Sequence, residues 1–183
     1  MIHPDTELRA AGEGIGLGVF ATRPIPRSTI VWARDPLDRV LSAAQIAALP
    51  AAYEPIIATY THSDRAGDHV LCWDAARFVN HACDPNSLML ADRFDVALRD
   101  IAAGEQLTCD YAALNIRDAE AFDCACGAPE CRGRVRIIDA ARLADRWRDQ
   151  ARRALDEIGR VPQPLVELVD SAALAQAFAE TWS

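Results

Sequence analysis

Two stretches carry the side chains best suited to chemistry: Arg77-Phe-Val-Asn-His-Ala-Cys-Asp-Pro-Asn86 and Gly104-Glu-Gln-Leu-Thr-Cys-Asp-Tyr111. Asn80, His81, Asp110 and Tyr111, set at the ends of short elements, make a polar site, although that alone does not name a reaction. A third group is metal-like. Cys124-x-Cys126-x4-Cys131 supplies three close thiols. Tetrahedral zinc takes four ligands, so the fourth comes from Cys72, Cys83 or Cys109. In a cytosolic chain, six cysteines serve as metal ligands or core residues rather than disulfides.

Elements must deliver these groups. Phe78-Val79 reads as a strand that runs Asn80, His81 and Cys83 into a tight loop, because Asp-Pro and Asn favour turns. Gly104-Glu105 makes a turn, and a short strand then ends on Asp110 and Tyr111. Gly14, Gly16 and Gly18 alternate, which lets backbone approach a ligand closely because no Cβ intervenes. No helix start follows, so this is not a dinucleotide fingerprint. A hairpin is expected next, with strands over 19–21 and 28–32 joined by the Pro24-Ile25-Pro26 bend.

Ser42 opens a helix with Gln45 at the capping-box position and Ile46 and Leu49 apolar, ending at Pro50. A second helical piece covers 53–61, with Tyr53 and Tyr60 as packing residues. His62, Asp64, Gly67 and Asp68 mark a solvated loop, which places His62 and His69 at the surface. The strand 70–73 buries Cys72. Residues 89–91 and 96–98 form a hairpin around Asp92 and Asp95, and 112–123 is a linker carrying Asn115 and several acids. A helix runs from Asp139 to about Ile158, with Leu143, Trp147, Ala151 and Leu155 recurring at i+4. Gly159, Pro162 and Pro164 stop it. A last helix starts at Ser171 and carries Leu174, Phe178 and Trp182. These two helices pack on the domain or offer a surface for a homodimer or another partner.

With 183 residues, 51% hydrophobic and 25% charged, the chain reads as a soluble globular domain with an appendage. No apolar run approaches the roughly 18 residues of a membrane span, and no basic-then-apolar leader is visible, so a cytoplasmic protein is expected. A net charge of −8 argues against direct nucleic-acid binding and suits a basic peptide. All 19 basic residues are Arg, so the chain has no lysine side chain of its own to modify. That bias and the abundant alanine point to a GC-rich bacterial genome.

The two stretches resemble the SET domain family of protein lysine methyltransferases, whose pattern is roughly Arg-Phe-x-Asn-His-x-Cys-x-Pro-Asn followed by Gly-Glu-x-Leu-x-x-Asp-Tyr. Gly16-Leu17-Gly18 upstream and the cysteines downstream extend the likeness to about residues 10–135. The resemblance implies a mainly β fold with α additions: a β-clip in which one segment is tucked under a preceding loop as a pseudoknot, which departs from the usual rule against threading. It implies a SET domain over 1–115 with an insert at about 35–72 that shapes a peptide groove. A post-SET zinc segment follows over 116–138, and a C-terminal helical extension over 139–183.

It further implies S-adenosylmethionine as cofactor, held by Gly16, Leu17, Gly18, Arg77, Asn80 and His81, with Phe122 packed on the adenine. Tyr111 becomes the catalytic tyrosine, and Cys83 the fourth ligand of Zn²⁺ beside Cys124, Cys126 and Cys131. Cys109 stands where the family usually has Phe or Tyr. A Tyr there anchors a water and favours monomethylation, whereas Phe permits higher states. No cysteine-rich pre-SET region exists, so nuclear histone methyltransferases are not close guides to substrate. The other reading of the same motifs is an inactive, zinc-stapled interaction module. Retention of Tyr111, Asn80 and the glycines favours the enzyme.

Overall fold

A computed structural model describes residues 1–12, 14–114 and 120–182, without the side chain of Trp182. Asn115 in the expected linker, and the Trp182 end of the last apolar stripe, lie outside the described residues.

Strands β1 (Thr6–Gly12) and β2 (Gly16–Ala21) pair antiparallel across the glycine turn, from Thr6 opposite Ala21 to Gly12 opposite Gly16. Gly14 and Gly16 sit at φ 79° and 88°, where a side chain would be strained. Strand β3 (Ile30–Ala33) does not return onto β2 as the expected hairpin does; it pairs with the strand Phe94–Ala97 instead. The bend between them is claimed from elsewhere: Ile25 bridges Ile101, and Ser28 donates its N–H to the Ala97 carbonyl. β1 is a partner that sequence reasoning missed, because Thr-Glu-Leu-Arg-Ala-Ala-Gly is largely exposed and shows no apolar alternation.

The insert forms a small sheet in the order β4 (Arg39–Leu41), β6 (His69–Leu71), β5 (Thr61–Ser63). Helices α1 (Ala43–Ala47) and α2 (Glu54–Tyr60) lie between β4 and β5. The capping box expected at Ser42 is present, with Gln45 N–H donating to Ser42 Oγ and Ser42 N–H to Gln45 Oε1. The loop expected around His62 is instead strand. His62 pairs with Val70, its ring standing edge-on to Trp32 at 5.7 Å, and the His69 ring bonds the Thr61 hydroxyl at 2.8 Å. Both histidines are partly buried rather than solvated.

The hairpin expected from strands 89–91 and 96–98 is present as β8 (Ser87–Leu90) and β9 (Phe94–Ala97), each starting two residues earlier, with β9 central between β8 and β3. Two-residue strands β7 (Asn80–His81) and β10 (Thr108–Cys109) pair in parallel, and β11 (Phe122–Asp123) pairs with β12 (Arg134–Val135). Phe78 is not strand. It ends a 3-10 turn, Ala75–Phe78, in which the Ala76 N–H donates to the capping Asp74 carboxylate at 2.9 Å.

Helices α3 (Ile138–Leu155) and α4 (Ser171–Trp182) cover the outer face of β3–β9–β8. Ala151, Ala154 and Leu155 meet Leu88, Leu90, Phe94 and Val96 in one core, so the extension shares its apolar interior with the sheet. Each large side chain so buried contributes roughly 1.5–3 kcal/mol. The face of α4 that is buried carries Ala173, Ala177 and Thr181 rather than Phe178, which is exposed. Small residues let α4 lie close to α3. Gln163 ties the extension to the sheet: its amide donates to the Ser28 and Ile158 carbonyls and accepts from Ile30 N–H at 2.8 Å. A second core of Val19, Ile25, Val31, Ala97, Ile101 and Leu107 lies beneath β2.

Candidate functional site

The β7–β10 pair joins the two chemistry-bearing stretches, setting Asn80 opposite Thr108 and His81 opposite Cys109. Two parallel residues cannot hold such a junction alone, and Asn86 clamps it. That side chain is 1% exposed, donates to Glu105 Oε1 and the Gln106 carbonyl, and accepts from Thr108 N–H at 2.9 Å. Read from sequence, Asn86 only ended a turn; its burial among complementary backbone groups is visible only in three dimensions.

Asn80 Nδ2 donates to the Leu17 carbonyl at 3.0 Å. Gly18 is packed so tightly that a Cβ would stand 2.6 Å from Gln106 Nε2 and 3.0 Å from Asn80 Nδ2. The Gly-x-Gly segment therefore lies directly against Asn80, with Gly16 and Leu17 left exposed beside it. Arg77 stands off, exposed, its guanidinium 5.2 Å from the Phe78 ring.

Tyr111 opens a 3-10 turn whose N-cap is Asp110. Its hydroxyl donates to the Val79 carbonyl at 2.9 Å, and its backbone N–H donates to His81 Nδ1 at 3.1 Å. Accepting at Nδ1 leaves the His81 proton on Nε2, which faces Cys83 Sγ at 3.4 Å. Burial, and then the Arg132 charge, hold His81 down to about 4, so the ring is neutral. Burial pushes the Tyr111 phenol well up, and it stays protonated. The rings of His81, Tyr111 and Phe122 form an edge-to-face triangle with centroids 5.3 to 5.8 Å apart.

The sulfurs of Cys83, Cys124, Cys126 and Cys131 all lie within 4.8 Å of one another, with Cys83 and Cys124 at 3.8 Å. Four thiolates around one zinc at about 2.3 Å would sit about 3.8 Å apart, so this donor set fits a tetrahedral ion. Backbone N–H groups of Cys83, Arg132 and Gly133 point at the sulfurs, as thiolates require. Cys72 and Cys109 are buried elsewhere, and burial pushes both thiols well up. One residue escaped sequence reasoning. Arg132 donates Nε to Cys83 Sγ at 3.4 Å and Nη2 to Asp110 at 2.6 Å, with Asp139 at 3.8 Å. Its only signal was its position directly after the last cysteine.

A groove of about 960 Å³ is lined by α1 and α2 and, at the tyrosine turn, by Cys109, Tyr111 and Phe122. The arrangement can therefore hold a side chain in the groove and a second ligand on the Asn80–Gly18 side of the junction.

A family model described as SET domain matches residues 16–112, more than half of the 183-residue chain. Among proteins, a Saccharomyces cerevisiae "Histone-lysine N-methyltransferase, H3 lysine-4 specific" is 47% identical over 66 residues, covering 32% of this chain and 6% of its own. The Drosophila melanogaster "Histone-lysine N-methyltransferase trr" is 33% identical over 128 residues, 64% of this chain and 5% of that protein. A Schizosaccharomyces pombe protein, also described as H3 lysine-4 specific, is 43% identical over 65 residues, 32% of this chain and 7% of its own. The chain thus spans about a twentieth of the length of these relatives. Family model, ordered motifs and fold agree: this chain belongs to the SET domain family.

Proposed function

We propose that this chain is a protein-lysine N-methyltransferase that uses S-adenosylmethionine and takes a basic protein or peptide in its groove. The observation that carries the reading is the placement of the Tyr111 hydroxyl, on the Val79 carbonyl, between the groove and the Asn80 junction. The named activity of the SET relatives supports it.

A lysine amine has pKa about 10.4, so it reaches the site as ammonium and must become neutral before it can react. A dry channel disfavours the charge, and positioning supplies much of the remaining rate. Tyr111, protonated and fixed at both ends, orients the amine. S-adenosylmethionine, when bound, supplies the electrophilic methyl group. Asn80, His81, Gly16, Leu17 and Gly18 would hold it on their side of the junction, Arg77 at the rim and Phe122 against its ring. The exposed Gly16–Leu17 backbone beside Asn80, with no bulky side chain at Gly18, suits a flat ligand.

Cys83, Cys124, Cys126 and Cys131 would bind one Zn²⁺, pinning Phe122 over the site. Reduced, clustered thiols fit a cytoplasmic setting. Among the described residues no helix is long and apolar enough to cross a membrane. The test is calorimetry with S-adenosylmethionine, followed by mass spectrometry of a histone mixture incubated with protein and cofactor. Binding and lysine methylation are expected; absence of cofactor binding by the zinc-replete protein would overturn the reading.

A further inference from the structure

The floor of the groove holds a carboxylate that this mechanism leaves without work. Asp95 sits in the central strand β9, between Phe94 and Val96, which point into the core shared with α3. Side chains alternate across a strand, so Asp95 faces the other way. Its cross-strand neighbours are Trp32 on one side and Met89 on the other, and all three line the groove. Asp95 is only 7% exposed. The Ser87 hydroxyl lies against its carboxylate but donates to the Thr108 carbonyl at 3.1 Å, and Oδ1 has no partner among the described residues. Trp32 Nε1, on the same floor, is also without one. Two adjacent orphaned polar atoms under a large groove mark a place where a ligand belongs, because a buried unpaired polar group is costly.

We infer that Asp95 is a specificity-determining residue whose carboxylate, covered at Oδ1 in this structure, turns that oxygen toward the groove to receive the positively charged terminal nitrogen of the entering basic side chain. This rests on the reading of the groove as the entry for a basic side chain. Asp95 stands close to the reacting end: its charge acts on the Cys109 thiol, that thiol acts in turn on Tyr111, and all three line the groove. The contact is non-covalent and selects what enters. A cation on Oδ1 satisfies the orphaned acceptor; a neutral or acidic side chain leaves it buried and unpaired. Burial pushes the empty-site carboxyl up to about 7, against the lowering effect of the Ser87 hydroxyl, so a neighbouring cation is what stabilises it as carboxylate. The apolar partners Trp32 and Met89 suit the methylene stem that such a side chain carries.

The test uses n-butylammonium as a side-chain mimic and n-butanol as its neutral counterpart, followed by NMR at the Trp32 indole N–H. Wild type is expected to bind the amine at the Trp32 signal. Asp95→Asn and Asp95→Leu are expected to lose about tenfold or more in affinity, the size of one charge-assisted hydrogen bond. Binding of the alcohol should not fall. Asp95→Leu replaces a buried charge by an apolar side chain, so it keeps the comparison available if the Asn variant is poorly folded. Equal amine affinity in wild type and folded variants, or no amine response in wild type, would overturn the inference. Calorimetry with S-adenosylmethionine separates the two readings. Asp95-dependent amine binding without cofactor binding leaves this inference standing and sinks the methyltransferase. Methylation with Asp95-independent amine binding does the reverse.

Discussion

Arg132 and Asp110 are joined at 2.6 Å, and through this pair the cysteine cluster meets the tyrosine turn. Asp110 is 1% exposed and caps the turn that begins with Tyr111, while the same guanidinium reaches Cys83 Sγ. The pair ties the two halves of the site together.

Replacing Arg132 by Met should therefore do two things. It leaves Asp110 buried without its counter-charge, which costs on the order of 3 kcal/mol. It also removes donors to a ligand sulfur, which lowers metal affinity by roughly 10–100-fold. Thermal unfolding and chelator competition measure the two separately. A variant with wild-type stability and wild-type metal retention would show the pair to be incidental.

Zinc removal should loosen a defined region. The four cysteines come from the loop after β7 and from the segment between β11 and β12, so an ion held among them would close that segment onto the domain. Because structural zinc contributes folding free energy directly, chelation should raise hydrogen exchange over 122–135 and weaken cofactor binding. The α3 face packed on β8 and β9 should stay protected. Freshly purified protein free of zinc would contradict the assignment.

Tyr111→Phe should keep the fold, since only the hydroxyl bond to Val79 is lost, at about 1 kcal/mol. Cofactor affinity should hold while kcat falls steeply, because the hydroxyl acts on the amine. Undiminished kcat in single-turnover assays would make Tyr111 structural.

His62 gives the fold an acid limit. Burial, and then the Arg34 charge, hold the ring down to about 4, against 6.5 in an unfolded chain. The unfolded state thus binds the proton first. The stability is full above pH 6.5 and is lost as pH falls towards 4, by at most about 3 kcal/mol. His62→Phe, still able to meet the Trp32 edge, should flatten that part of the stability profile. An unchanged slope in denaturant titrations between pH 6.5 and 4 would count against it.

Legibility in the sequence was uneven. The capping box at Ser42, the hairpin over 89–98 and the amphipathic α3 were readable because local chemistry decides them. β1 and the His62 strand were not: each pairs with a strand close by in sequence, but Thr6–Gly12 is largely exposed and Thr61–Ser63 is a polar triplet, so neither shows the apolar alternation that marks a strand. Cys124, Cys126 and Cys131 stood out because thiols in a tight spacing are rare, whereas spacing left the fourth open and the family resemblance selected Cys83. Asn86, Arg132 and Asp95 were missed as working groups because their roles depend on burial, and no spacing rule reports whether a polar side chain is buried. On α4 Leu174 packs against the shared core as apolar size suggested, whereas Phe178 is exposed and the small residues Ala173 and Ala177 are buried in that core.

The last prediction concerns how many methyl groups the site admits. Cys109 is 5% exposed, lies opposite His81 in the parallel pair and lines the groove beside Tyr111. Accepting a second or third methyl needs room beside the amine, and an ordered water competes for that room. A Tyr hydroxyl at this position would anchor such a water; a thiol is smaller and donates hydrogen bonds weakly. Burial also keeps the Cys109 thiol protonated, so it offers no thiolate to hold a water by charge. Dimethyl or trimethyl product is therefore expected from wild type, and Cys109→Tyr should shift the product towards monomethyl. Asp95, close enough to act on the same thiol, does not reverse this, because a methylated nitrogen retains its positive charge. Mass spectrometry of product at long reaction times decides between the outcomes. Wild type that stops at monomethyl, with the Tyr variant no more restricted, would remove Cys109 from any role in product choice.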